Sequence, residues 1–239
     1  MRPLLHLIVP SSLLGVLSIC ALTVALADQD NTKRLAEFAK LPNWNGVWQA
    51  APISSATAAN DPVLNPAWLQ KRSNKKTAPT VADNSQARCV WGMPRLLRTL
   101  HSFEITVLPE QSFFSYDINE FRHVWTDGRK QSQHLSPTNT GYSIGHWEGN
   151  TLVIDTMGIQ SGLWITNKAV TLSPKATVQE RWTQTDNDHL KVDVSVHDPL
   201  ALSKPFAFSR RYDRSDATHF VQKQCFDEPH DAVSKDSSG

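Results

Sequence analysis

Apolar and polar residues alternate along most of the chain from residue 103 onwards, in short segments separated by turn residues. The alternation is cleanest over His189–His197, where every second residue from Leu190 to Val196 is aliphatic and those between are polar. Successive side chains point to opposite faces of a strand, so this pattern predicts a strand with one face in the core and one in solvent.

Further segments of the same kind are separated by turn sequences such as Asp127-Gly128 and Glu148-Gly149-Asn150, which are typical of hairpins. The predicted strands are Phe103–Leu108, Ser112–Ile118, Phe121–Thr126, Tyr142–Trp147, Thr151–Thr156, Thr177–Gln184, His189–His197, Phe206–Tyr212 and His219–Lys223, after a first strand entered at Trp44–Trp48. Many short strands joined by short turns predict a mainly β fold, either a single antiparallel β-barrel or a strongly curved sheet.

The remaining segments complete a single predicted domain over residues 28–227. Residues 28–41 have Leu35, Phe38 and Leu41 at helical spacing and predict a short N-terminal helix. Residues 50–88 are rich in Ala, Pro, Ser, Thr, Asn and Lys, which predicts a long surface loop with a short helix at Pro66–Arg72. The polar residues 228–239 predict a disordered tail.

The first residues have the pattern of a cleavable signal peptide. Arg2 precedes an apolar stretch from Leu4 to Leu26, and Ala25-Leu26-Ala27 places small residues where a signal peptidase cuts. Residues 1–27 are therefore predicted to be removed after Ala27, leaving a periplasmic or secreted protein. Two alternatives are weaker: Pro10 and Gly15 interrupt a membrane anchor, and Ile19 is too large to precede a lipidated Cys20.

The net charge of the chain bears on whether it binds nucleic acid or a membrane surface. The full chain has 24 Lys and Arg residues against 23 Asp and Glu, and cleavage after Ala27 removes one cation, Arg2, and no anion. The predicted mature chain is therefore neutral, whereas proteins that bind nucleic acid or a membrane surface normally carry a basic excess. We expect no nucleic-acid partner and no stable membrane insertion after cleavage; the oligomeric state is left open.

Cysteine spacing and motif content limit the chemistry. Cys89 and Cys225 survive cleavage and could form a disulfide in an oxidising compartment, or could be two unrelated thiols. No CxxC or His/Cys cluster is present, so no metal site is predicted. Gly141–Gly145 fits GxSxG, but a hairpin follows where a nucleophile elbow needs a helix. No phosphate-binding loop or HExxH occurs, and we expect no cofactor.

Four predicted strands carry ionisable side chains on the same face as aromatic ones. These faces are Phe121/His123/Trp125, Tyr142/Ile144/His146, Val178/Glu180/Trp182 and Phe206/Phe208/Arg210/Tyr212. If they point inward, the barrel contains His123, His146, Glu180 and Arg210. Burying such groups is costly unless they are paired or line a cavity, so this pattern favours a ligand pocket. Alternatively, Glu180 and Arg210 neutralise each other and the histidines lie at a barrel end.

Two motifs resemble a known group of proteins. Glu120–Arg129 (EFRHVWTDGR) is followed by Pro137–Thr156 (PTNTGYSIGHWEGNTLVIDT), and the chain resembles a family of uncharacterised exported bacterial proteins from about Trp44 to Cys225. The resemblance continues through three shorter motifs, Glu180-Arg181, Asp198-Pro199 and Lys204-Pro205-Phe206. It implies a lipocalin-like β-barrel. Many relatives carry Pro-His-Ser shortly before the Glu-Arg pair, whereas this chain has Ala169–Ser173 without histidine.

These features favour a cofactor-independent enzyme, of lyase, isomerase or cyclase type, acting on a small hydrophobic, aromatic or terpenoid-like molecule. The candidate catalytic residues are His123 and His146, with Glu120, Glu180 or Asp155 as orienting group or second proton carrier. The candidate ligand-binding residues are Tyr142, Trp125, Trp147, Trp182, Arg122 and Arg210. A non-catalytic binding protein for a hydrophobic ligand is the alternative, and a structural envelope protein is a third.

Two charged pairs are also expected near this site. Glu120 and Arg122 share the face opposite His123 and could form a salt bridge beside the Asp127-Gly128 turn. Asp155 lies in a strand whose two faces are both largely apolar, so it could be buried against Arg181 or Arg210.

Overall fold

The computed structural model describes residues 31–52, 61–73, 91–98, 101–132, 134–161, 170–219 and 222. The chain divides into two compact units, Met1–Leu41 and Pro42–Gly239. In the first unit, residues 31–38 form helix α1, as the helical spacing predicted. The predicted signal peptide, the pair Cys89 and Cys225, and the predicted tail lie outside the described residues.

The second unit is built from strands. Its strands are β1 (Gly46–Ala50), β2 (Phe103–Leu108), β3 (Gln111–Tyr116), β4 (Phe121–Trp125), β5 (Tyr142–Glu148), β6 (Thr151–Met157), β7 (Thr177–Asp186), β8 (His189–His197) and β9 (Phe206–Arg214). Its helices are α2 (Pro66–Ser73) and the short α3 (Arg95–Arg98). The sequence predicted α2 but not α3, whose four residues are too few for a periodic pattern.

The nine described strands close into a barrel in sequence order, with β9 pairing back to β1. The predicted barrel is therefore confirmed. Its purely antiparallel form is not, because β4 and β5 run parallel and pair over two residues only, Val124↔Ser143 and Trp125↔Ile144. Every other neighbouring pair is antiparallel. The seam between β4 and β5 is thus the junction with the fewest backbone pairs.

The predicted strand at His219–Lys223 is not supported by its described residues. His219 and Gln222 are not in a strand, and the rest of that segment lies outside the described residues. The barrel closes through β9 instead, where Trp48 pairs with Arg214 and Ala50 with Tyr212.

The two ends of the barrel differ. One end, which we call the hairpin end, carries the tight turns at residues 109–110, 149–150 and 187–188. There the Arg214 guanidinium lies 4.2 Å from the ring centroid of Trp48. It also donates to three backbone carbonyls that surround this end, those of Asn43 (2.8 Å), Asn45 (3.0 Å) and Asn187 (2.9 Å). One side chain therefore ties the entry of β1 to the β7–β8 turn.

The opposite end, which we call the loop end, receives the longer connections. Helix α3 lies against it, with Leu96 and Leu97 buried. The hydroxyl of Tyr212 donates to the Leu97 carbonyl (3.4 Å), and Arg210 Nη2 donates to the Arg98 carbonyl (2.7 Å). The last carbonyls of this helical turn therefore find their donors inside the barrel.

The middle of the barrel is filled by aromatic rings. Phe103 is central, with its ring centroid 4.7 Å from that of Tyr212 and 5.7 Å from that of Trp182. Phe114 and Tyr116 complete the cluster, and all five side chains are at most 1% exposed. Edge and tilted contacts of this kind add to the free energy gained from burying the ring area.

Among the described residues, no helix is both long and apolar enough to cross a membrane.

Candidate functional site

A buried ion pair lies inside the barrel between β4 and β7. Arg122 Nη1 and Nη2 donate to the two carboxylate oxygens of Glu180 at 2.8 and 2.7 Å, and the two residues are 1% and 0% exposed. The indole N–H of Trp182 donates to the same carboxylate at 2.9 Å. The bidentate geometry and the third donor satisfy a charge that would otherwise be very costly to bury.

Arg122 also binds the two strands between β4 and β7. Its Nε donates to Ser143 Oγ on β5 (3.1 Å), and Nη2 donates to Thr156 Oγ1 on β6 (2.7 Å). Burial by itself lowers the pKa of the Arg122 guanidinium, but the charge and hydrogen bonds of Glu180 raise that pKa above its ordinary value. One permanently charged side chain therefore spans the seam where the backbone pairing is shortest.

The structure corrects the predicted partners of these charges. Glu180 pairs with Arg122 and not with Arg210, and Arg122 does not pair with Glu120. The reason is the orientation of β4, whose buried residues are Arg122 and Val124. Because every carboxylate oxygen of Glu180 is engaged and shielded from solvent, its geometry fits a structural role better than proton transfer.

The prediction that His123 points into the barrel is wrong. Together with Phe121, which is 55% exposed, and Trp125, it lies on the outer face. There Phe113 stacks on Phe121 (centroids 5.3 Å apart), His123 contacts Trp125 (3.7 Å), and the Arg129 guanidinium covers Trp125 (3.5 Å). These residues form an outer aromatic stripe in which stacking replaces burial in the core.

The prediction is also wrong for His146 and Tyr142 on β5. The side chain of His146 is 60% exposed and lies 3.1 Å from Glu148, which in turn accepts from Arg181 (2.8 Å). Tyr142 is half-buried, and its hydroxyl accepts from Arg129 (3.4 Å). The inward position of β5 next to this tyrosine is taken by Ser143, which is 1% exposed.

The other predicted site residues are scattered. Asp155 is exposed and accepts from Gln179 (3.0 Å), so the expected burial against Arg181 or Arg210 is wrong. Trp147 lies at the hairpin end, 4.8 Å from Trp44. The structure therefore brings Arg122, Glu180 and Trp182 together inside the barrel and does not bring the predicted histidines to them.

A histidine–carboxylate dyad that the sequence analysis missed lies at the loop end. His101 Nδ1 is 2.8 Å from Asp117 Oδ1, and the His101 and Asp117 side chains are 12% and 2% exposed. The Ser102 N–H also donates to this carboxylate (3.3 Å). His101 Nε2 is buried and makes no hydrogen bond within the described part of the chain. A carboxylate that holds one ring nitrogen while the other is free is the arrangement of a general base.

The register of the β2–β3 hairpin explains why these two residues are close. Phe103 pairs with Tyr116, and the next pair outward is Ser102 with Asp117, whose N–H donates to the Ser102 carbonyl (3.0 Å), so His101 comes within reach of the Asp117 side chain. Finding it required the hairpin register and not the alternation within a single strand.

Trp91 and Glu120 adjoin this dyad. The Trp91 ring lies 4.4 Å from the His101 ring, and a backbone N–H of Trp91 donates to the Glu120 carboxylate. Burial raises the pKa of Glu120, which hydrogen bonds from Asn139 and Trp91 only partly offset. Glu120, a predicted catalytic residue, is therefore linked through Trp91 to His101 and not to His123.

Two shallow depressions on the outer wall are lined by described residues. One, of about 300 Å³, crosses β7 to β9 beside Arg181 and Asp193. The other, of about 240 Å³, lies beside Phe113 and Phe121 of the aromatic stripe. No group of three or more potential metal-ligating side chains occurs among the described residues. Neither a protein-family model nor a curated protein matches this chain.

We predict that Glu180→Gln destabilises the protein by roughly 3–5 kcal/mol, because it leaves the Arg122 charge buried without its counter-charge. Urea unfolding followed by tryptophan fluorescence measures this change. The matched control is Arg181→Met, on the next residue but facing outward in a solvent-exposed pair, for which about 0–1 kcal/mol is expected. Equal effects of the two substitutions would contradict the role given to the inner pair.

We predict that His123 titrates below the ordinary histidine range. Partial burial lowers its pKa, the Arg129 charge lowers it further, and Asp127 opposes the shift. Arg129→Gln should therefore raise the His123 pKa, which an NMR titration of the ring protons measures. His197, exposed at the end of β8 and far from Arg129 along the chain, is the internal reference. A His123 pKa that stays unchanged or falls in the variant would argue against this electrostatic coupling.

Proposed function

We propose that this protein binds a small hydrophobic or aromatic molecule inside the loop end of its barrel. The observation that carries the proposal is the composition of the inner face of β9 at the loop end, where two phenylalanines precede an arginine. Phe206, Phe208 and Arg210 of β9 keep 4%, 5% and 9% of their surface accessible. Trp182 and Val192, deeper in the barrel, keep none. An apolar wall with a polar group at its edge is the composition of a small-molecule site.

The construction of the two ends supports the same location. At the hairpin end, Arg214 donates hydrogen bonds to three backbone carbonyls and so links the elements around it. The middle of the barrel is filled by the aromatic cluster around Phe103. At the loop end lies the short helix α3, whose Arg98 and Leu97 carbonyls accept hydrogen bonds from Arg210 and Tyr212 inside the barrel. We therefore place the ligand at the loop end and not at the hairpin end or in the middle.

We predict that a small hydrophobic compound copurifies with the natively exported protein and is released on denaturation, where mass spectrometry identifies it. Phe208→Trp fills the proposed space and should lower the retained compound at least about tenfold, a loss of roughly 1.4 kcal/mol in binding. The control is Phe121→Trp, the same enlargement on the outer aromatic stripe, which should leave retention unchanged. Equal retention in both variants, or no compound in the wild type, would count against a ligand in the barrel.

Acid–base catalysis without a cofactor is the second candidate function, and the His101–Asp117 dyad favours it. In this second proposal the dyad replaces His123 and His146 as the catalytic group, because it lies at the loop end and His101 Nε2 has no hydrogen-bond partner among the described residues. Proton transfer by such a histidine suits a lyase, isomerase or cyclase reaction. The half-buried Glu120 supplies a second proton carrier in the same region.

Copurification also tests this second function. His101→Gln removes the base, so the variant should retain an unreacted substrate that differs from the wild-type compound in mass or, for an isomerase, in chromatographic retention. His146→Gln, on the exposed end of β5, is the control and should retain the wild-type compound. If all three proteins hold the same molecule, the protein is a carrier and not an enzyme.

The proposed site of action is outside the cytoplasm, in the periplasm or the medium. The signal-peptide pattern of residues 1–27 and the resemblance to exported bacterial proteins support this location.

A further inference from the structure

Arg210 is a buried cation without a counter-charge among the described residues. The residue is 9% exposed, and its Nη2 donates to the Arg98 carbonyl at 2.7 Å. Its Nε is buried without a hydrogen-bond partner, and no carboxylate pairs with it among the described residues. A carbonyl satisfies one donor but not the charge, and an uncompensated buried charge is among the costliest groups in a fold.

Glu180, the buried carboxylate on the inner face of β7, is not available to Arg210. Both oxygens of Glu180 are bound by Arg122, and one also accepts from Trp182. Of the buried charged residues on the described strands, Arg122 and Glu180 compensate each other, which leaves Arg210 without a carboxylate partner there. The contrast with Arg122, which has a bidentate carboxylate and two hydroxyl acceptors, shows how this chain treats a buried guanidinium whose role is structural.

A second guanidinium strengthens the positive potential. Arg98 lies over the rings of Phe206 and Phe208, at 5.1 and 5.6 Å from their centroids. Burial lowers the pKa of Arg98, the charge of Arg210 lowers it further, and Asp61 opposes both effects. Asp61 is exposed, so the negative charge on this side faces solvent while Arg210 faces the barrel.

We propose that the ligand is a hydrophobic carboxylic acid whose carboxylate pairs with Arg210 while its apolar body lies against Phe206 and Phe208. This inference rests on the proposed binding function and names the chemical class of its ligand. The guanidinium offers the free Nε and a neighbouring N–H in the fork geometry that a carboxylate accepts, and the site is sheltered enough to strengthen that bond. The positive charge of Arg98, which lies over Phe206 and Phe208, also attracts the ligand carboxylate.

The test uses three probes of equal chain length, decanoate, 1-decanol and decylamine, titrated near neutral pH into the delipidated mature protein by calorimetry. We expect decanoate to bind at least about tenfold more tightly than decanol, and decylamine to bind more weakly than either. The comparison between probes in the wild-type protein does not depend on any variant folding correctly.

Variants then assign the preference to one side chain. Arg210→Met should bring the affinity for decanoate down to that for decanol and leave decanol binding unchanged. Arg210→Lys keeps the charge without the fork, so it should retain part of the preference. The matched control is Arg211→Met, the next residue on β9 with its side chain outside, which should alter neither affinity. Thermal unfolding confirms that each variant is folded.

The outcomes separate the two proposals. Equal affinity for decanoate and decanol, or a preference for decylamine, overturns the carboxylate inference and leaves the binding function standing. A decanoate preference that survives Arg210→Met also overturns it, because a group other than Arg210 would then bind the carboxylate. Binding of none of the three probes counts against both proposals.

Discussion

The buried bond between Arg122 and Glu180 is the constraint on which the barrel depends. The parallel pairing of β4 and β5 covers two residue pairs, so the backbone alone closes this seam weakly. Arg122 crosses it from inside, binding Ser143 and Thr156 on the way to Glu180. A buried pair of this kind contributes little net stability compared with an apolar core, but it accepts few alternative partners. Its value here is that it specifies which strands meet.

Two arginines inside the barrel differ in their partners. Arg122 has a bidentate carboxylate, whereas the described residues give Arg210, on the inner wall of β9, only the Arg98 carbonyl as acceptor. The charge of Arg122 is compensated by the fold, and it is the lack of such compensation that led us to propose a ligand carboxylate at Arg210. The hairpin end is tied by Arg214, and the uncompensated charge lies at the loop end. The proposed binding site therefore lies at the end of the barrel opposite to Arg214.

Side-chain alternation predicted which strands exist better than which of their faces point inward. On β7, β8 and β9 one face is much more apolar, and the aliphatic, Glu180 and Arg210 positions fall inside as predicted. On β4 both faces carry an ionisable group, and aromatic content favoured the face of His123. The structure places the smaller face, Arg122 and Val124, inside, because Arg122 finds its carboxylate there and the aromatic residues can stack outside.

The sequence by itself determined the mainly β class, the strand His189–His197, the helix at residue 66 and the turn positions, since these follow from alternation and turn chemistry within a few residues. Only the tertiary structure decided that β5 runs parallel to β4, that Glu180 belongs to Arg122, and that His101 meets Asp117. Each of these joins groups that are distant along the chain. Their pairing depends on strand order and register, which a local pattern does not contain.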